Sequence, residues 1–161
     1  MATETDFKSI MDRLADTSRP VPMASLYHLS DLKRDDQAAF EALWQGMADE
    51  RRLHILQNLH EIAEANFEVV FDNVFRLGLD DESPEVRALA IKSLWESDDE
   101  TLIAPFLEAL QHDSDALVRA SAASSLGRFV YLGELEEIPA AAARRVEDAL
   151  LDVIMGEDEL E

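Results

Sequence analysis

The chain has 161 residues, 47% of them hydrophobic, and carries 35 acidic against 14 basic side chains for a formal net charge of -21. That length and apolar share suffice for one domain with a sizeable core. The charge argues against nucleic acid and membrane as partners, since phosphate backbones and anionic headgroups are held mainly by Lys and Arg, and the absence of cysteine excludes disulfides, thiolate zinc sites and a cysteine nucleophile.

Met1 to Phe7 is acidic and lacks the basic start and apolar run of a secretory signal, and no apolar run approaches a membrane span, so a cytoplasmic location is expected. Asp6 to Ala15 sets Phe7, Ile10, Met11 and Leu14 at helical spacing, which predicts a short amphipathic helix. Pro20 and Pro22 end it, because proline lacks the amide donor and turns its preceding residue away from helix. A brief apolar helix over Met23 to Leu29 follows. After the polar stretch Ser30 to Asp36, the residues Ala39, Phe40, Leu43, Trp44 and Met47 form another stripe.

From Asp49 the segment Glu50-Arg51-Arg52 to Leu59 is a worn copy of Glu85-Val86-Arg87 to Leu94, displaced by 35 positions. A helix is expected over Phe67 to Leu77, with Val70, Phe71, Val74, Phe75 and Leu77 available for burial. Asp80 to Ser83 reads as a turn. Ser83-Pro84-Glu85 is a strong helix start, with a hydroxyl N-cap, proline at the first helical position and an acid at the positive helix end. Glu100 to Gln111 carries Leu102, Ile103, Phe106, Leu107 and Leu110 at helical spacing.

Then the chain repeats itself. Asp81, Val86, Arg87, Ala88, Ala90 and Leu94 recur as Asp113, Val118, Arg119, Ala120, Ala122 and Leu126, each displaced by 32, with Asp115 capping where Ser83 did. A fixed period of that size marks stacked helix hairpins, which cannot bury their apolar faces alone. The small residues Ala88, Ala90, Ala120, Ala122 and Ala123 suit close helix approach. Past Gly127, Phe129 to Leu132 extend or end the helix, Gly133 to Pro139 reads as a linker, and Ala140 to Ile154 as a helix with Val146, Ala149, Leu150, Val153 and Ile154 on one side. Gly156 to Glu161 is either a fraying tail or the acidic turn before a further repeat, the latter being preferred.

An acidic turn followed by Val-Arg-x-x-Ala-x-x-x-Leu resembles the HEAT-type α-solenoids, in the subgroup named after phycobilisome lyase. The residues that carry the resemblance are Asp81, Pro84, Val86, Arg87, Ala90 and Leu94, then Asp113, Val118, Arg119, Ala122 and Leu126. The resemblance implies an all-α fold, an α-α superhelix of stacked antiparallel helix hairpins. Residues 1–48 would be an irregular N-terminal helical cap and residues 49–161 the HEAT-like repeats of one continuous domain. It also implies interactions between layers for Asp81, Asp113, Arg87 and Arg119. The second helix of each unit would line the concave side, making Lys92, Trp95, Glu96, Ser121, Ser124, Ser125 and Arg128 the candidate partner-binding residues.

No catalytic set stands out. His60-Glu-Ile-Ala-Glu64 has the spacing of a zinc-peptidase helix, but Glu64 stands where the second histidine is needed, so a solvated helix face is the better reading. His28, His54 and His112 have no ligand spacing, and no nucleophile elbow or phosphate-cradling loop is present. Arg87 and Arg119 are read as pairing within the chain rather than with an anionic ligand. The expectation is a non-enzymatic scaffold that binds a protein or peptide, with no cofactor or metal. The rival expectations are a bilin lyase-isomerase, an activity that some members of the subgroup carry, and a structural spacer in a larger repeat protein.

Overall fold

The computed structural model describes residues 6–158. Among them the backbone forms nine α-helices, three short 3-10 segments and no strand. The helices are α1 (Phe7–Ala15), α2 (Met23–Leu26), α3 (Arg34–Gln45), α4 (Asp49–Ala65), α5 (Asp72–Leu77), α6 (Pro84–Ser93), α7 (Ile103–His112), α8 (Ala116–Glu134) and α9 (Ala140–Asp158).

The two helices that open the repeats start as their sequences dictate. Ser83 Oγ accepts the Val86 amide at 3.4 Å with Pro84 in the first turn, and Asp115 accepts the amides of Leu117 and Val118 at 2.8 and 3.3 Å. Upstream of each cap, Asp81 and Asp113 close the same Asx turn, accepting Ser83 N at 3.0 Å and Asp115 N at 2.9 Å. Antiparallel pairs α5/α6 and α7/α8 pack as hairpins, and the pairs then follow one another in two rows. In one row α4 packs on α6 and α6 on α8; in the other α3 packs on α5 and α7 on α9. This succession makes the protein an all-α helical solenoid.

The motif positions Val86, Ala90, Val118, Ala122 and Leu126 are fully excluded from solvent, and Leu94 nearly so. Phe106 of α7 and Phe129 of α8 meet edge-on at 6.4 Å between ring centres. Two glycines permit helix contacts that no other residue would. A Cβ on Gly78 would lie 2.8 Å from that of Ala90, and one on Gly133 would lie 2.2 Å from that of Ala143.

Four expectations need correction. Helix α5 begins at Asp72, not Phe67: Val70 instead donates its amide to Ser30 Oγ and its carbonyl accepts from the Asp31 amide, both at 2.9 Å, so residues 66–71 bridge to the α2–α3 loop and leave Phe67 89% exposed. Helix α8 runs through Gly133 to Glu134, because Phe129 and Leu132 bury into the core and outweigh the helix cost of Gly127 and Gly133; the linker therefore starts at Leu135. Ile154 is exposed together with Leu151 and Met155, so the buried stripe of α9 rests on Val146 and Ala149. Ala120 is exposed rather than wedged between helices. Of the acidic stretch that closes the sequence, residues 159–161 lie outside the described residues.

Candidate functional site

Arginine ladders at one rim set the spacing of the layers. Arg87 on α6 spans two turns: Nε and Nη2 meet Asp113 Oδ2 and Oδ1 at 2.8 and 2.9 Å, while Nη1 donates to the Asp81 carbonyl at 2.8 Å. The bidentate bond from Arg87 holds the Asp113 carboxyl below the usual carboxylate range, and the same bond raises Arg87 above its ordinary value. Arg119 repeats the backbone half, donating from Nη1 to the Asp113 carbonyl at 2.8 Å.

The acid six residues before each arginine thus contributes its carbonyl, and for Arg87 the carboxylate comes from the next layer. The carboxylate of Asp81 turns the other way, to Arg52 of the worn copy. Arg52 Nη2 donates to Asp81 Oδ1 at 3.0 Å, and its Nε lies 2.6 Å from Oδ2 without aiming its hydrogen there, a close ion pair with one aligned bond. Arg52 also donates to the Met47 carbonyl and sits 6.0 Å from the centre of the Trp44 ring. Sequence reasoning did not assign Arg52 this role, although the 35-residue displacement from Arg52 to Arg87 was the signal for it.

With the layers fixed, α4, α6 and α8 frame a groove of about 750 Å³. Of the predicted partner-binding residues, Lys92, Trp95, Ser121, Ser124, Ser125 and Arg128 line it. Glu96 is exposed but does not. The groove also takes Glu64, Ala120 and Tyr131, which the sequence reading had not placed there. Tyr131 was legible, since it continues the helical stripe of Ser121, Ser124 and Arg128 by one further step of three; Glu64 comes from α4 and needed the tertiary packing. Trp95 and Tyr131 are 47% and 53% exposed, large rings left partly uncovered beside a floor of small side chains.

The floor is tied to the preceding helix by a contact that repeats. Ser125 Oγ reaches back from α8 to the Ile91 carbonyl of α6 at 3.3 Å. Ser93, which is 32 positions earlier, reaches back from α6 to His60 Nδ1 of α4 at 3.1 Å. Arg128 is anchored by Asp98 Oδ1, at 3.0 Å from Nε and 2.5 Å from Nη2.

His60 Nε2 lies 3.4 Å from Glu64 Oε1, so Ser93, His60 and Glu64 form a chain with the outline of a nucleophile, base and acid. The polarity is wrong for that chemistry. Ser93 Oγ donates its proton to the Leu89 carbonyl at 2.7 Å, which can only accept, and it therefore offers the imidazole a lone pair. Among the described residues, no three His, Asp or Glu side chains are grouped to hold a metal ion, and no helix is long and apolar enough to cross a membrane.

Stacked helix hairpins, a rim of layer-to-layer Arg–Asp pairs and an open groove across one row of helices define a helical-repeat solenoid. The family model for HEAT repeats matches residues 73–154, half of the chain. The chain belongs to the HEAT-repeat family. Neither the curated proteins nor the solved structures provide a match.

Proposed function

We propose that this protein is a non-enzymatic interaction module that takes a protein or peptide segment in the groove framed by α4, α6 and α8. One observation carries the reading: Trp95 and Tyr131 stay about half exposed over a floor of small side chains that is itself locked by Ser125 and Arg128. Half-exposed aromatics beside a pre-formed floor of small side chains are what a binding partner buries at the centre of an interface. HEAT repeats commonly serve protein–protein interaction, which supports the same reading. The net charge of -21 makes nucleic acid and anionic membrane poor partners.

The test is photo-crosslinking from Ser124 in purified protein, repeated with Trp95→Ala and Ser121→Arg. A groove-bound partner is captured by the parent and lost from both variants; a partner retained by both overturns the groove assignment. The finer resemblance of the Val-Arg turns to the phycobilisome-lyase subgroup supports one rival, an activity on bilins. Titration with a bilin separates the two readings, because a shifted absorbance band that depends on Trp95 would replace the peptide reading.

A further inference from the structure

We propose that the segment bound in this groove is acidic, a peptide that presents an Asp or Glu side chain next to a large apolar one. The inference rests on the binding-module reading and deepens it. Over the whole chain acids outnumber bases 35 to 14, yet the groove takes two of the bases, Lys92 and Arg128, and one acid, Glu64. Glu64 already faces the His60 ring at 3.4 Å. Lys92 is exposed and forms no ion pair among the described residues. Arg128 holds Asp98 through Nε and Nη2, which leaves Nη1 outside that pair.

A basic segment would press its charges against Lys92, and a neutral one would cover Lys92 without pairing it. A carboxylate paired with Lys92, with an apolar neighbour across Trp95 and Tyr131 and its backbone near the hydroxyls of Ser121 and Ser124, suits the residues that line the groove. Of the acids near the groove, Glu64 faces His60 and Asp98 is paired with Arg128, so most of the net charge of -21 opposes such a ligand from a distance. At physiological ionic strength charges beyond about 8 Å are screened, so the residues in contact decide affinity and the distant acids only slow the approach. This gives an unusual kinetic signature: raising ionic strength from about 0.01 M to about 0.15 M shortens the screening length from about 30 Å to about 8 Å and speeds association of an acidic peptide.

The experiment is selection of a random nonapeptide display library on the full chain, with the winners measured against Trp95→Ala/Tyr131→Ala and against Lys92→Glu. Lys92 is exposed, so the charge reversal leaves the core untouched. The expected winners pair an acid with an aromatic or aliphatic residue, bind Lys92→Glu about tenfold more weakly, and associate faster as salt is added. Basic or uncharged winners that still need Trp95 and Tyr131 would overturn the acidic assignment while leaving the groove reading intact. Winners indifferent to the aromatic variant, or no enrichment at all, would overturn the groove reading itself.

Discussion

At the joint between α6 and α8, Val86 and Val118 fill the core from the first position of the motif, and Arg87 takes Asp113 at the rim. At the joint between the N-terminal helices and α6, the same two positions are Arg51 and Arg52, only 7% and 9% exposed. Arg51 gives Nε to the Leu14 carbonyl at 2.9 Å, Nη1 to Arg19 at 2.8 Å and Nη2 to Arg13 at 3.4 Å, so it caps the last turn of α1 from another helix. Arg52 holds Met47, Asp81 and the face of Trp44. The comparison teaches how one register is kept with two chemistries. Regular hairpins fix their offset by long matched apolar faces; short irregular helices such as α1 and α2 offer little area, and buried arginines bonded to named carbonyls fix the offset instead.

If that is right, the largest loss follows from breaking the irregular joint. Arg52→Leu or Asp81→Leu alone strands a buried charge and is expected to cost about 3 to 5 kcal/mol in urea unfolding, whereas the double change costs much less. Arg87→Leu, at the more open regular rim, should cost less than Arg52→Leu; equal losses would erase the distinction.

A step smaller, the two glycines of α8 should respond with opposite signs. Gly133→Ala drives a Cβ into Ala143 and should lose about 1 to 3 kcal/mol, while Gly127→Ala meets nothing within 4 Å and should gain up to about 1 kcal/mol. Thermal unfolding of both variants checks this.

The regular rim also predicts a pH dependence. Asp113 is held below its ordinary value of 3.8 by Arg87, so the unfolded chain takes up this proton first as pH falls. The stability from that pair is complete above pH 3.8 and is lost as pH drops below it through the folded value, and Asp113→Asn should flatten the acid limb of a stability profile there.

The smallest effect lies at the end of α8, where Glu136 adopts φ 59 while Glu137 N bonds the Leu132 carbonyl at 2.9 Å. Glycine fits that left-handed position better, so Glu136→Gly should gain no more than about 1 kcal/mol and leave the groove unchanged.

Much of the fold was legible because its causes are local or periodic. The caps at Ser83 and Asp115, the proline at the start of α6 and the 32-residue recurrence of Val, Arg, Ala and Leu each have a reason within a few residues, and the hairpin stack follows from them. Within the groove, Lys92, Trp95, Ser121, Ser124, Ser125 and Arg128 followed from the resemblance and the helical stripe, because one face of a repeating helix stays in one place. Trp95 and Glu96 both lie in the turn after α6 ends at Ser93, where Trp95 faces the groove and Glu96 is exposed outside its lining.

What the tertiary structure alone decided is which layer each charge addresses. Asp81 reaches back to Arg52 and Asp113 to Arg87, although the motif arginine that follows each acid by six positions is Arg87 and Arg119. It also decided that Val70 would bond the α2–α3 loop instead of joining α5, and that Gly78 and Gly133 lie at helix contacts. The sequence by itself determined the hairpins, since capping, propensity and apolar phase act over one or two turns. The offsets between hairpins depend on packing and on bonds between residues more than twenty positions apart, and no local rule carries that information.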